Sequence, residues 1–345
     1  MKKTVFIIGS SLLLLFTACQ KEMSTNDITI YPGSPLNDTI WTRTTPSTGS
    51  VNDLVNYFLP QVIIDSFDAS KSDVTLSYGD SLSISFPAGS CVGTSANGGT
   101  PGVPSGKVQL QILRLKTKGD YIKTFRPTTS NGYLLEAAGG FFIRILSREG
   151  KELALAPGAT VKLSFSDIDP VKANMQAFYG KETYPLPANT VIDTGFTWMR
   201  DTDTTWLSTF QRPSTISGNA IINGYTINVK NLRWVAAERF IDSTAKKAKI
   251  FALLPPNFTN KNTAVFAVFM NQKTIVNLAP EFSSRSFTAS NIPIGSKIRL
   301  ITISKIGDDF YMGTKDINDL GTNTIFSVSP DKIGVTGIVT YLNSL

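Results

Sequence analysis

Apolar and polar residues alternate with a period of two along most of the chain from residue 74 onward, the signature of half-buried β-strands. "VTLSYGDSLSISFPAG" (74–89) holds two such runs joined by Gly-Asp, which predicts a hairpin. In "GKVQLQILRLK" (106–116), Val108, Leu110 and Ile112 share one face while Gln109 and Gln111 take the other. The phase then slips: Leu113 and Leu115 are apolar and Arg114 falls on the earlier face. Either a bulge near 112–113 or burial of both faces is expected there. "GGFFIRILSREGKELALAPGATVKLSFSD" (139–167) supplies two more strands with "REGKE" and "APGA" as turns. No long 3.6-residue period interrupts, and residues 51–175 read as a first β-sandwich.

The second half repeats the pattern in "AIINGYTINVKNLRWV", "KAKIFALLPPNF", "TAVFAVFM", "KTIVNLA", "SKIRLITISKIGDDFYMGTKDI" and "NTIFSVS", which place a second sandwich over 190–345. The tail "SPDKIGVTGIVTYLNSL" opens with Ser-Pro-Asp, suited to a helix N-cap followed by proline, so a short closing helix is expected. Gly334 and Gly337 weaken it. Near the start, "VNDLVNYFLPQVII" (51–64) predicts one short helix ending before Pro60 or a leading strand. The expected fold is all-β: two immunoglobulin-like β-sandwich domains, as a length of 345 residues allows.

The first 50 residues belong to neither pattern. Lys2 and Lys3 precede a mostly apolar run from Val5 to Phe16, and Thr17 and Ala18 then stand just before Cys19. A membrane-spanning helix needs about 20 apolar residues, so 1–18 read as a cleavable signal. Small residues followed at once by cysteine resemble the lipobox of bacterial lipoproteins, with Phe16 where leucine is commonest. That resemblance implies cleavage before Cys19 and attachment of palmitate-type acyl chains to it. "QKE" (20–22) is similar to the export signal that sends Bacteroidota lipoproteins to the outer face of the outer membrane. Two or more acyl chains give stable anchoring, each buried methylene contributing about 0.8 kcal/mol. Residues 19–50, rich in Thr, Ser, Pro and Asn, then read as a disordered tether.

Charge narrows the partners. The formal net charge is +7, of which Lys2 and Lys3 leave with the signal. The only basic cluster, "AKKAK" (245–249), is too short for a nucleic-acid stripe and reads as a solvated loop or strand end. The chain contains no histidine. This removes Ser-His-Asp and Cys-His catalysis in their usual forms and His-ligated metal sites. Carboxylate pairs, a Ser-Lys arrangement or oxygen-ligated calcium remain open.

From "ISFPAGSCVG" through "GKVQLQILRLKTKGD" to "RPTTSNGYLLEAAGGFFIRI", residues 72–168 resemble the sandwich domain shared by netrin receptors, zonula-occludens proteins and ankyrins. Relatives of that domain occur in uncharacterised Bacteroidota lipoproteins, and "RW" with "ERF" (233–240) is similar to their second domain. The resemblance rests on turn and core residues, and implies binding or mechanical roles rather than catalysis.

Four sets of residues are candidates for chemistry. Cys91 lies in a glycine-rich loop (88–106), without a partner once Cys19 is acylated and without a nearby base, and reads as a structural cysteine. "SDIDP" (166–170) and "RDTDTTW" (200–206) place acids two apart, as calcium sites do, but lack the other EF-hand positions. Asp308, Asp309 and Asp316 read as turn acids, so no metal and no cofactor is assigned. Trp198, Trp206 and Trp234 fall in an aromatic-rich stretch, 179–240, where exposed rings would stack on sugars and buried ones would fill the core. The expectation is a lipid-anchored, non-catalytic binding or structural module of the outer membrane, exposed at the cell surface, with a glycan or protein partner. The alternative is an anchored carbohydrate-active enzyme using an Asp/Glu pair.

Overall fold

The computed structural model describes residues 39–70, 73–93, 102–104, 106–167, 170–182, 196–216, 218, 220–241 and 244–345. Asp38–Leu345 make one compact unit, all-β with two sandwiches and a short closing helix. The first sandwich opposes a seven-stranded and a five-stranded sheet. The larger runs, in hydrogen-bonded order, Val62–Asp68, Lys107–Leu115, Tyr133–Leu146, Arg233–Phe240, Gln176–Glu182, Phe196–Arg200, with Thr129–Ser130 folded back on Tyr133–Leu146. The smaller runs Leu207–Pro213, Ile221–Val229, Val161–Ser166, Leu82–Phe86, Val74–Tyr78. The second sandwich pairs a four-stranded sheet built on Lys247–Leu253 and Ser286–Pro293 with a five-stranded one built on Thr263–Phe269, Ile298–Ile306 and Asp309–Ile317.

This topology moves the expected break. Strands from 176 to 240 complete the sheets begun by 62–166, and the chain passes to the sheets of the second sandwich between Phe240 and Lys247. A break at 175–190 falls inside the first sandwich. The expected tether is also shorter. Trp41 is buried against Phe287, Asn260 exchanges hydrogen bonds with the Thr42 backbone, and Ser50 Oγ donates to Lys305 O. Residues 41–50 are therefore packed on the second sandwich; 19–38 lie outside the described residues.

Burial on both faces explains the phase slip of 106–116. Its strand pairs with both neighbours in unbroken register. Val108, Leu110 and Ile112 join the core inside the first sandwich. Leu113 and Leu115 join a second core on the outer face, shared with Phe266, Ile301 and Ile303 of the other sandwich. The same two-sided burial covers the middle of Tyr133–Leu146, where a side chain on Gly139 would press on Phe165 and one on Gly140 on Tyr121.

Three helices close the outer core: α1 (Leu54–Phe58), α2 (Lys118–Lys123) and α3 (Val335–Asn343). Both readings of 51–64 hold, since α1 ends before Pro60 and a strand begins at Val62. In α2, Thr117 and Asp120 form a capping box, satisfying two otherwise orphaned amides. The closing helix starts later than Ser-Pro-Asp suggests, because Asp331 and Lys332 pair with Met312 and Tyr311 before the chain turns helical.

Candidate functional site

The candidate site begins at a turn. Ser130 pairs with Tyr133 across Asn131 and Gly132, which are left-handed at φ 47° and 81°. Asn-Gly is the dipeptide that adopts this two-residue hairpin turn with least strain. The turn carries Tyr133 out to 63% exposure. Phe240, ending the neighbouring strand, meets it edge to face at 6.3 Å and 88°. The buried ring of Phe178 backs Phe240 at 5.6 Å, so the core fixes an aromatic ring that stays 38% exposed.

These rings, with Leu134 and Ile241, form one wall of a cleft of about 440 Å³, within the size range of small-molecule pockets. Lys247, Asn291 and Pro293 of the second sandwich form the other wall. Asn291 is left-handed at φ 64°, and its Nδ2 donates to Gly132 O at 3.1 Å, tying the second sandwich to the Tyr133 turn. A second cleft of about 500 Å³ shares Phe240 and Ile241 and continues past them to Glu136, Asn174, Gln176, Arg239 and Gln272. The two make one groove along the junction, aromatic at one end and amide-rich at the other.

Its electrostatics differ from end to end. At the amide-rich end, Glu136 accepts from Lys172 at 2.8 Å and from Arg239 at 2.6 Å. Burial alone would raise the Glu136 carboxyl, but these two donors outweigh it and hold it below the ordinary value. Among the described residues lining the aromatic end, the charged group is Lys247. The Arg200 guanidinium, outside that lining, lies 5.9 Å from the Phe240 ring centre.

The three tryptophans lie elsewhere. Trp198 is fully buried, its indole donating to Pro127 O at 3.1 Å. Trp234, 7% exposed, donates to Glu182 Oε1 at 3.1 Å. Arg126 lies over both the Phe196 and Trp234 rings, at 4.6 and 4.9 Å. Trp198 and Trp234 are core residues of the outer core and offer no face to a sugar. Trp206 is half-buried: its indole bonds Asp203 and Lys230 Nζ sits 3.5 Å from its ring centre, so its own chain occupies it.

The remaining candidates are engaged structurally. Asp201 and Asp203 pair with Lys230 at 3.3 and 3.6 Å, and Asp167 pairs with Lys273. Asp169 lies outside the described residues. Asp316 forms a two-pronged pair with Arg299, and Asp309 pairs with Lys332. Cys91 is a buried free thiol in the first core, on a short strand opposite Leu155, and burial raises its pKa. Residues 94–101 of its loop, and Cys19, lie outside the described residues.

Tyr133 and Phe240 escaped the sequence reading. A signal existed for Tyr133, since an aromatic directly after Asn-Gly sits at a hairpin tip that its own hairpin cannot cover. Phe240 carried none, because the second sandwich that walls its cleft pairs through distant residues. No protein-family model, curated protein or solved structure matches the chain, and the groove is read from its own residues.

Proposed function

We propose that this chain is a lipid-anchored surface lipoprotein that binds a saccharide, without catalysis, in the groove between its two sandwiches. The observation that carries the reading is the pair Tyr133 and Phe240, two exposed rings held at a right angle over a pocket of small-molecule size. Aromatic faces take up the C–H face of a sugar ring. The amides of Asn174, Gln176, Gln272 and Asn291 line the same groove and supply donors and acceptors for hydroxyls. The resemblance of 72–168 to interaction-type sandwich domains supports a binding role, and the lipobox ending at Cys19 supports the anchor.

The test uses the full-length protein extracted in detergent and a panel of immobilised polysaccharides. Retention by at least one, lost in Tyr133→Ala with an unchanged circular-dichroism spectrum, is expected. A panel that retains nothing overturns the binding reading. Separately, Cys19→Ser should leave the membrane fraction and lose fatty-acid labelling; continued acylation would overturn the anchor.

A further inference from the structure

The charged side chains described at the aromatic end of the groove are cations. Lys247, exposed at the start of the second sandwich, is the charged group among the described residues of its wall, and the Arg200 guanidinium lies 5.9 Å from the centre of the inner ring, Phe240. The acid of the neighbouring end is already neutralised by two partners of its own, Lys172 and Arg239. A ligand lying across Phe240 therefore meets hydroxyl-binding amides on one side and the positive charge of Lys247 and Arg200 on the other.

We propose that the groove selects acidic saccharides, with a ring carboxylate directed to Lys247 and Arg200 and the ring itself packed on Tyr133 and Phe240. This rests on the saccharide-binding reading above and adds the sign of the ligand's charge. Charge complementarity favours this occupant, since a neutral sugar would leave both cations unused and a cationic one would be repelled. Three asparagines sit in left-handed backbone around the groove: Asn174 and Asn291 in its walls, and Asn131 in the turn that carries Tyr133. That conformation is uncommon outside glycine, and it clusters where the walls are built.

The experiment measures retention of the full-length protein on alginate, hyaluronate and polygalacturonate, each beside its carboxyl-reduced neutral form, with polyglutamate as an acidic peptide control. At least one acidic polymer should bind more tightly than its reduced form by about fivefold, the effect of one solvent-exposed charge contact, and less so as salt rises. Lys247→Gln and Arg200→Gln should bring that ratio close to one, while Tyr133→Ala should remove binding to both forms. Equal binding of acidic and reduced polymers, still abolished by Tyr133→Ala, would overturn charge selection and leave the groove as a saccharide site. Acidic binding untouched by all three variants would assign it to the basic surface at large, and equal retention on polyglutamate would overturn the saccharide class. No Tyr133-dependent retention of any polymer would overturn the groove itself.

Discussion

Lys273 Nζ lies 2.6 Å from Asp167 Oδ2, joining a turn of the second sandwich to a strand end of the first. The two side chains are only 8% and 10% exposed, and the same ammonium donates to Ala138 O at 3.0 Å. Around it Thr274 Oγ1 donates to Leu135 O and Thr128 N to Ile275 O, so the turn is stitched to the long central strand. Breaking a buried pair from one side leaves the remaining charge without its close counter-ion. Lys273→Met should therefore cost about 3 kcal/mol in urea unfolding, near the low end for such pairs because Arg114 still acts on Asp167. Adding Asp167→Leu should restore most of the loss. A double variant as unstable as the single one would show that packing, rather than charge, holds this contact.

Glu238 predicts a pH dependence. Its side chain is fully buried at a register shift between strands, and neither carboxyl oxygen has a hydrogen-bond partner among the described residues. Burial pushes its pKa well above the ordinary 4.5, and the nearby Tyr121 hydroxyl, also buried and unpartnered, is pushed up by burial and by Glu238. The folded state thus holds a proton that the unfolded state releases near pH 4.5. The associated stability is complete below that pH and declines as pH rises towards the folded value, by up to about 1.4 kcal/mol per unit. Glu238→Gln should flatten this decline, so that the variant gains on the native protein between pH 4.5 and 8 in parallel urea titrations. A constant difference across that range would place the ionisation elsewhere.

Aromatic content was legible in the sequence, but burial was not. Trp198 and Tyr133 look alike as strand residues, yet one fills the core between the sandwiches and the other stands at the rim. What separates them is the second sandwich covering the outer face of the first, a contact between residues far apart in the chain. Trp198→Ala should cost about 3–5 kcal/mol, the loss of a large buried side chain. Tyr133→Ala should change stability by about 0.5 kcal/mol or less, as an exposed substitution does. Comparable thermal shifts for both would contradict their placement.

Helices α2 and α3 meet at Gly119. A Cβ there would overlap the carbonyl oxygen of Leu342, and one turn on, Lys123 joins Asp120 and Asn343. Gly119→Ala should destabilise by about 2–3 kcal/mol, an overpacking cost against backbone that cannot rotate aside. Backbone amides of Val335–Asn343 should exchange faster, since α3 is the element with room to move. Unchanged exchange there, with loss confined to the sandwiches, would mean that the strain is relieved elsewhere.

Strand positions followed from local alternation, and most segments read as strands are strands: "VTLSYGDSLSISF" is a hairpin, and "TAVFAVF" a fully buried strand. Sheet membership did not follow, because "AIINGYTINVKNLRWV" alternates in the same way whichever sandwich it joins. In the structure Ile221–Val229 pairs with Val161–Ser166, and Arg233–Phe240 with Tyr133–Leu146. A fragment cut where the alternation places the second sandwich, 190–345, would carry these strands without their partners. A fragment 51–175 would expose the apolar middle of Tyr133–Leu146 as an open edge, which invites aggregation. Both should lack a cooperative thermal transition and bind a hydrophobic dye, while 39–345 should unfold cooperatively with a native-like far-ultraviolet spectrum. Cooperative unfolding of 190–345 on its own would overturn the pairing of Arg233–Phe240 with Tyr133–Leu146, and with it the placement of Phe240 beside Tyr133.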